Sequence, residues 1–352
     1  MRRPRASGVL LGIAITFWAA SAAMAQASTR PPILRDEPWV VYQGGSVAVG
    51  AGGATPLHLV RADGTGDHLL LVPDPRIPDV GHPDWSPDGD RIAFDVWTAQ
   101  ASGPDRLTLW TIGIDGTDLE EVAACELPCL QLAYPAWSPD GGSLAFARYD
   151  IGEGGAWQPA VIEVLDLATG IHRRVAQTPD GMSAYYDPRW SPDGRSITAT
   201  LETYTDAHQG TATGSSVVVM DALGPTATPA VITPPDLLAA QPAWGPDGTI
   251  VFVTTSAPGA WPDDASLMRI SADGSGLRGL VDLAPQTGVV SDPSWTLDGR
   301  IMFTVANGSG SHIATVAPDG TSLEHAAWPL SVPTGSIQRT YARPRPVPAP
   351  AG

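Results

Sequence analysis

Short runs of alternating apolar and polar residues recur from about residue 39 onward, and nearly every run ends in a turn signal. Six of them are PLHLVRADG, LTLWTIGIDG, AVIEVLDLATG, SVVVMDALG, SLMRISADG and SHIATVAPDG. A period of two predicts half-buried strands, and the Asp-Gly or similar turns predict antiparallel hairpins. Between these runs stands a second recurring string. It reads HPDWSPDGDRIAF around Trp85, YPAWSPDGGSLAF around Trp137, DPRWSPDGRSITA around Trp190, QPAWGPDGTIVF around Trp244 and DPSWTLDGRIMF around Trp295. In the turn itself, proline presets φ, aspartate binds local backbone N–H groups and glycine accepts positive φ. Each string therefore joins a strand ending at Trp to a following strand such as RIAFDV.

The tryptophans are 52, 53, 54 and 51 residues apart. Four strands per repeat make one sheet that cannot bury both faces alone, so neighbouring copies must stack, with the Trp filling the gap between them. Six turn-ended runs face only five tryptophan strings. The offset of 22 residues from Asp63 to Trp85, Asp115 to Trp137 and Asp273 to Trp295 points from Asp319 to Tyr341 as the aromatic of a degenerate sixth string. Its downstream half is PWVVYQGG near the N-terminus. The expected fold is an all-β, six-bladed β-propeller of four-stranded antiparallel blades, its ring closed by N-terminal strands plus a C-terminal strand.

These strings resemble the WD-like propeller repeat of TolB and its relatives, over roughly residues 39–343. The resemblance implies a propeller in the exported fraction of a bacterial cell. TolB carries an α/β domain ahead of its propeller and no counterpart is expected before residue 39, so a role in the Tol–Pal system is not implied. Among relatives the repeat occurs in binding proteins and as the gating domain of serine peptidases.

The flanks read differently. Residues 1–25 carry Arg2, Arg3 and Arg5, an apolar stretch and Ala23-Met24-Ala25, a secretory signal with an A-x-A cleavage pattern. Residues 26–38 are expected to form an extended lead-in, and residues 344–352 a Pro-rich mobile tail. The expected location is periplasmic, cell-surface or secreted, with no stable membrane insertion once the signal is removed. Cys125 and Cys129 are the only cysteines, and export favours a local disulfide.

Charge narrows the partners. The net charge is −17, with 20 basic residues, all arginine, against 37 acidic ones. No basic face is expected, which argues against nucleic acid as a partner. G-x-S-x-G, H-E-x-x-H, P-loop and dinucleotide fingerprints do not occur, so no catalytic residue is nominated and enzyme activity is not indicated.

Loop length then selects a face. The turns after each Trp are uniformly short, whereas the loops on the opposite side vary, and variable loops on a rigid scaffold usually carry binding. Trp97, Tyr149, Trp157, Tyr186, Tyr204 and Trp261 are the aromatic candidates there, although packing of their own loops would explain many of them. A second set should circle the channel mouth: His82, Tyr134, Asp187, Gln241, Asp292 and Gln338, each just before the proline of its string or at the matching place. Two carboxylates with His82 could hold calcium there; otherwise no cofactor is expected. The expected function is that of an exported binding or scaffold propeller, working as a monomer and engaging a protein, peptide or glycan. The alternative is a propeller hydrolase or lyase acting on polysaccharide at the channel mouth.

Overall fold

The computed structural model describes residues 37–44, 47–49, 52–71, 77–99, 105–176, 181–206, 210–224, 226, 228–254, 257, 266–282, 289–307, 310–329 and 342–346. The signal segment, most of the lead-in, residues 347–352, and Trp261, Gln338 and Tyr341 lie outside them.

Among the described residues the strand pairings form six four-stranded antiparallel units and one two-stranded hairpin, Val47–Val49 with Gly52–Ala54. Sheet I pairs Trp39–Gln43, Leu57–Arg61 and His68–Leu71 with Arg343–Pro344 from the far end of the chain. Sheet II contains Asp79–Trp85, Arg91–Thr98, Arg106–Gly113 and Glu120–Ala123, and sheet III Cys129–Trp137, Ser143–Asp150, Val161–Asp166 and His172–Ala176. One parallel bridge, Gln131 to Leu107, joins these two. Sheet IV is built from Ser183–Trp190, Ser196–Tyr204, Ala212–Asp221 and Ala230–Val231. Sheet V follows with Ala239–Trp244, Thr249–Thr254, Ser266–Ser271 and Arg278–Asp282, and sheet VI with Val289–Trp295, Ile301–Asn307, Gly310–Val316 and Glu324–Pro329. The Trp-bearing strands of sheets II to VI and the Arg343–Pro344 strand touch one another in a closed circuit, II–III–IV–V–VI–I–II. The architecture is a β-propeller.

The turns form as their residues require. In the first, the Ser86 hydroxyl donates to Asp88 Oδ1 (2.5 Å) and accepts from the Arg91 N–H (2.9 Å), while Gly89 adopts φ +70°. Ser138–Asp140 and Ser191–Asp193 repeat the arrangement. Hydrogen bonds from the neighbouring hydroxyl and backbone N–H hold the Asp140 and Asp193 carboxyls below the usual range.

The core is divided among the interfaces between sheets. Ala147, Ile162, Tyr185 and Val218 pack sheet III on IV; Phe252, Ile270 and Val217 pack V on IV; Val40, Tyr42, Met302 and Ile313 pack I on VI. Each string tryptophan leans on the sheet before its own. Trp85 Nε1 donates to the Arg343 carbonyl (2.9 Å) and Trp190 Nε1 to the Ala136 carbonyl (3.1 Å). The glycine at 245, where other turns have serine or threonine, makes room for this: a Cβ there would lie 2.6 Å from the Trp295 ring.

The closing strand corrects one expectation. Trp85, Trp137, Trp190, Trp244 and Trp295 stand opposite Ile92, Leu144, Ile197, Ile250 and Ile301, and the matching residue of sheet I is Val40, which pairs with Pro344. Pro344, not Tyr341, therefore holds the Trp place, 25 residues after Asp319 (344 − 319). The shorter offset assumed a connecting loop of constant length, which it is not. Its neighbour Arg345 makes a backbone bond to the Trp39 carbonyl (2.7 Å), so Pro344 falls between ladder bonds and its missing N–H is no loss. Where the other sheets have a tryptophan, the seam between VI and I holds a cavity of about 460 Å³ bordered by Trp39, Leu297, Met302, Ile313 and Pro344.

The first residues of the expected tail also belong to the body. Arg345 is 1% exposed, donates from Nε to the Gly89 carbonyl (2.9 Å) and lies 5.8 Å over the Trp85 ring.

Candidate binding face

Each string strand carries a β-bulge just before its proline, at Gly81/Asp84, Ala133/Ala136, Tyr186/Arg189, Ala240/Ala243 and Ser291/Ser294. At these bulges His82, Tyr134, Asp187, Gln241 and Asp292 all have positive φ, between 47° and 59°. The left-handed region is unfavourable for side chains with a Cβ and is held here by the surrounding bonds. The five described members of the expected channel-mouth set are thus one structural position, repeated.

The bonds that hold them run between sheets. Asp95 Oδ2 accepts from the Tyr134 N–H (3.1 Å), and Thr200 Oγ1 accepts from the Gln241 N–H (2.9 Å). Asp95 and Thr200 occupy the same register in the second strands, where sheets III and V have Ala147 and Val253. Because Val253 offers no acceptor, Gln241 Oε1 takes the Asp292 N–H (3.0 Å), and Gln241 Nε2 donates back to Asp292 Oδ1 (3.1 Å). Gln241 and Asp292 are buried and engaged with each other.

His82, Tyr134 and Asp187 are half-buried and belong to a different neighbourhood. His82 Nδ1 lies 2.6 Å from Asp95 Oδ2, and its ring packs on Tyr134 at 4.0 Å. Tyr134 meets Tyr186 at 6.5 Å; Tyr186 meets Tyr149 at 6.0 Å; Tyr149 meets Trp157 at 6.3 Å. His82, Tyr134, Tyr186, Tyr149 and Trp157, drawn from both candidate sets, therefore form one continuous aromatic patch. Tyr149 is buried in it, as the packing reading expected, whereas Trp97 is 44% exposed.

The phenols are ordered as a chain. Tyr186 and Tyr204 oxygens are 2.7 Å apart, and the Tyr204 hydroxyl donates to Glu202 Oε2 (2.5 Å). Tyr204 has one proton, so Tyr186 is the donor to it. Burial first, then the Glu202 bond, raises the Tyr204 phenol; burial first, then Tyr204, raises Tyr186. Both stay protonated at neutral pH.

Beside this patch, between sheets II and III, opens a pocket of about 540 Å³ walled by Trp97 and Trp157. Asp79, Asp95 and Asp105 line it together with His82 and Gln131. The three carboxylates were not nominated from the sequence. Asp95 alone carried a signal, as a charged residue at an apolar register of its strand. Among the described residues, no three His, Cys, Asp or Glu side chains are grouped to hold a metal ion. Cys125 and Cys129 form the expected disulfide, at the start of sheet III.

Comparison with known proteins agrees with this architecture. No family model matches the chain. An uncharacterised protein of Agrobacterium fabrum is 26% identical over 118 residues, which span 32% of this chain and 36% of that protein. Among solved structures, TolB from Acinetobacter baumannii superposes with a TM-score of 0.62 at 18% identity, covering 93% of this chain and 71% of that one. A putative TolB from Agrobacterium tumefaciens gives 0.56 at 17% identity, covering 88% and 98%. The hydrazine synthase of Kuenenia stuttgartiensis gives 0.62 at 14%, covering 96% of this chain and 50% of that one. At these identities the likeness establishes the fold: a β-propeller. Its particular form is TolB-like.

Proposed function

We propose that this protein is an exported binding propeller that engages a protein or peptide partner through its loop-rich face, anchored in the pocket between sheets II and III. The observation that carries this reading is the pocket's composition. Two tryptophans provide flat apolar walls, and one of them is exposed; Asp79, Asp95 and Asp105 give a negative floor, with no arginine among the described lining residues. Aromatic anchors with a central charge are the usual energetic centre of a recognition surface. A partner segment that presents a basic side chain flanked by apolar residues fits both features, and the net charge of −17 would speed its approach.

A library of short basic and acidic peptides, screened by fluorescence anisotropy against the full chain, tests this. Basic peptides should bind, more weakly as salt rises. Trp97→Ala combined with Asp105→Asn should weaken them about tenfold or more, with a melting temperature close to the parent's. Equal binding of acidic peptides, binding of glycans alone, or no effect of the double substitution would overturn the reading.

A further inference from the structure

Toward the other end of the same first strands, on the side of the short turns, lies a second cavity of about 260 Å³, on the line where all six sheets meet. Its walls combine the string tryptophans with the residues before them, including Asp84, Arg189 and Arg343. Nothing in the repeat pattern pointed to this face, because its turns are short and uniform.

Its unpartnered buried side-chain groups are all donors, among the described residues. Among the described residues, six buried side-chain polar atoms have no hydrogen-bond partner, and four of them belong to residues of this cavity: Trp137 Nε1, Trp244 Nε1, Trp295 Nε1 and Arg343 Nε. Trp85 and Trp190 show what these indoles would otherwise do, since their N–H groups reach a carbonyl of the preceding sheet. Arg343 is 7% exposed, and among the described residues its side chain bonds only from Nη1, to the Asp292 and Ala342 carbonyls. Among the same residues the Arg189 side chain bonds the carbonyl of its neighbour Pro188 alone. Neither guanidinium has a carboxylate within ion-pair distance among the described residues. Burial first, then the like charge of Arg189, pushes Arg343 down to about 10, so Arg343 remains cationic at neutral pH. Asp84 accepts from the Trp137 N–H (2.8 Å); burial raises its carboxyl, opposed by the charges of Arg189 and Arg343.

Two arginines without a hydrogen-bonded carboxylate and several unpartnered N–H donors around a Trp-walled cavity, with Asp84 as its one carboxylate, are the inverse of what a −17 protein shows elsewhere. Leaving such groups unmet costs about 1–3 kcal/mol each, and a ligand made of acceptors would relieve that. We propose that the axial cavity is a binding site for a small organic anion carrying two or more carboxylates. A planar carboxylate matches the guanidinium fork, and the indole faces suit the carbon skeleton between the carboxylates.

Calorimetric titration of the full chain with citrate, succinate, acetate and inorganic phosphate, at fixed ionic strength, tests the site. Citrate or succinate should bind with one site per chain and acetate much more weakly. Arg189→Gln should weaken succinate about tenfold or more, the loss expected for one charge-assisted bond. Trp244→Phe with Trp295→Phe, which removes both indole N–H groups while leaving a smaller aromatic ring at each place, should weaken it several-fold, with some loss of melting temperature from the lost packing. Trp97→Ala with Asp105→Asn should leave it unaltered, which separates this site from the loop face. The proposal is overturned if no saturable heat appears up to about 10 mM, where a millimolar site would be nearly full. Phosphate binding as tightly as succinate, or Arg189→Gln binding like the parent, would overturn it equally.

Discussion

Trp85→Ala is expected to lower stability by about 4 kcal/mol, as judged from the urea midpoint. The indole is 4% exposed and lies on the seam between sheets II and I. Its removal leaves a cavity that the surrounding strands can only partly fill. It also takes away the bond to the Arg343 carbonyl and the surface over which Arg345 lies. Those two contacts tie residue 85 to the end of the chain, more than 250 positions away in sequence, so the loss should fall on ring closure itself. Trp97→Ala is the control: its side chain is nearly half exposed, and the change should cost far less, about 1 kcal/mol. Similar losses from the two substitutions would mean that Trp85 does not seal the seam.

Asp95→Ala should cost about 3 kcal/mol and weaken the loop face at the same time. Asp95 is 2% exposed and receives both the His82 ring nitrogen and the Tyr134 N–H. Without it the N–H of Tyr134 is left unmet in a left-handed backbone conformation, and a buried unmet group costs about 1–3 kcal/mol. The His82–Tyr134 stack also loses the carboxylate that orients it. Asp95→Asn keeps an acceptor for the Tyr134 N–H and should cost roughly 1 kcal/mol. Urea unfolding gives the stability, and the peptide titration gives the affinity. A loss below about 1 kcal/mol for the alanine variant would show that water replaces the carboxylate easily.

The fold was legible because its signals are local and repeated. Ser86–Asp88–Gly89 and its copies determine a turn within five residues, and alternation marks the strands on either side. The closing strand was misplaced because nothing local marks it. Pro344 has no indole to announce the position, and the distance from Asp319 includes a loop of arbitrary length. Much of the candidate site was legible in kind. His82, Tyr134, Tyr186, Tyr149 and Trp157 were nominated in two separate sets, and the structure joins them into one patch. What a one-dimensional pattern could not show is convergence. Asp79, Asp95 and Asp105 come from three strands or their edges, and Gln241 and Asp292 lie 51 residues apart (292 − 241). Both were expected to circle a channel mouth; the structure has them buried and bonded to each other. The axial donors were missed for a related reason: a Trp that packs and a Trp whose N–H is left open look identical in sequence.

Ring closure depends most on Arg343–Pro344 completing the sheet begun by Trp39–Gln43. Val40 and Pro344 face each other at a place without ladder bonds, where paired cysteines can bridge antiparallel strands. Val40→Cys with Pro344→Cys, oxidised in the full chain and mapped by mass spectrometry, should form a disulfide in nearly every molecule and raise the melting temperature. Val40→Cys with Tyr341→Cys should form little. The opposite preference, or no bridge in either variant, would contradict the closed ring described above.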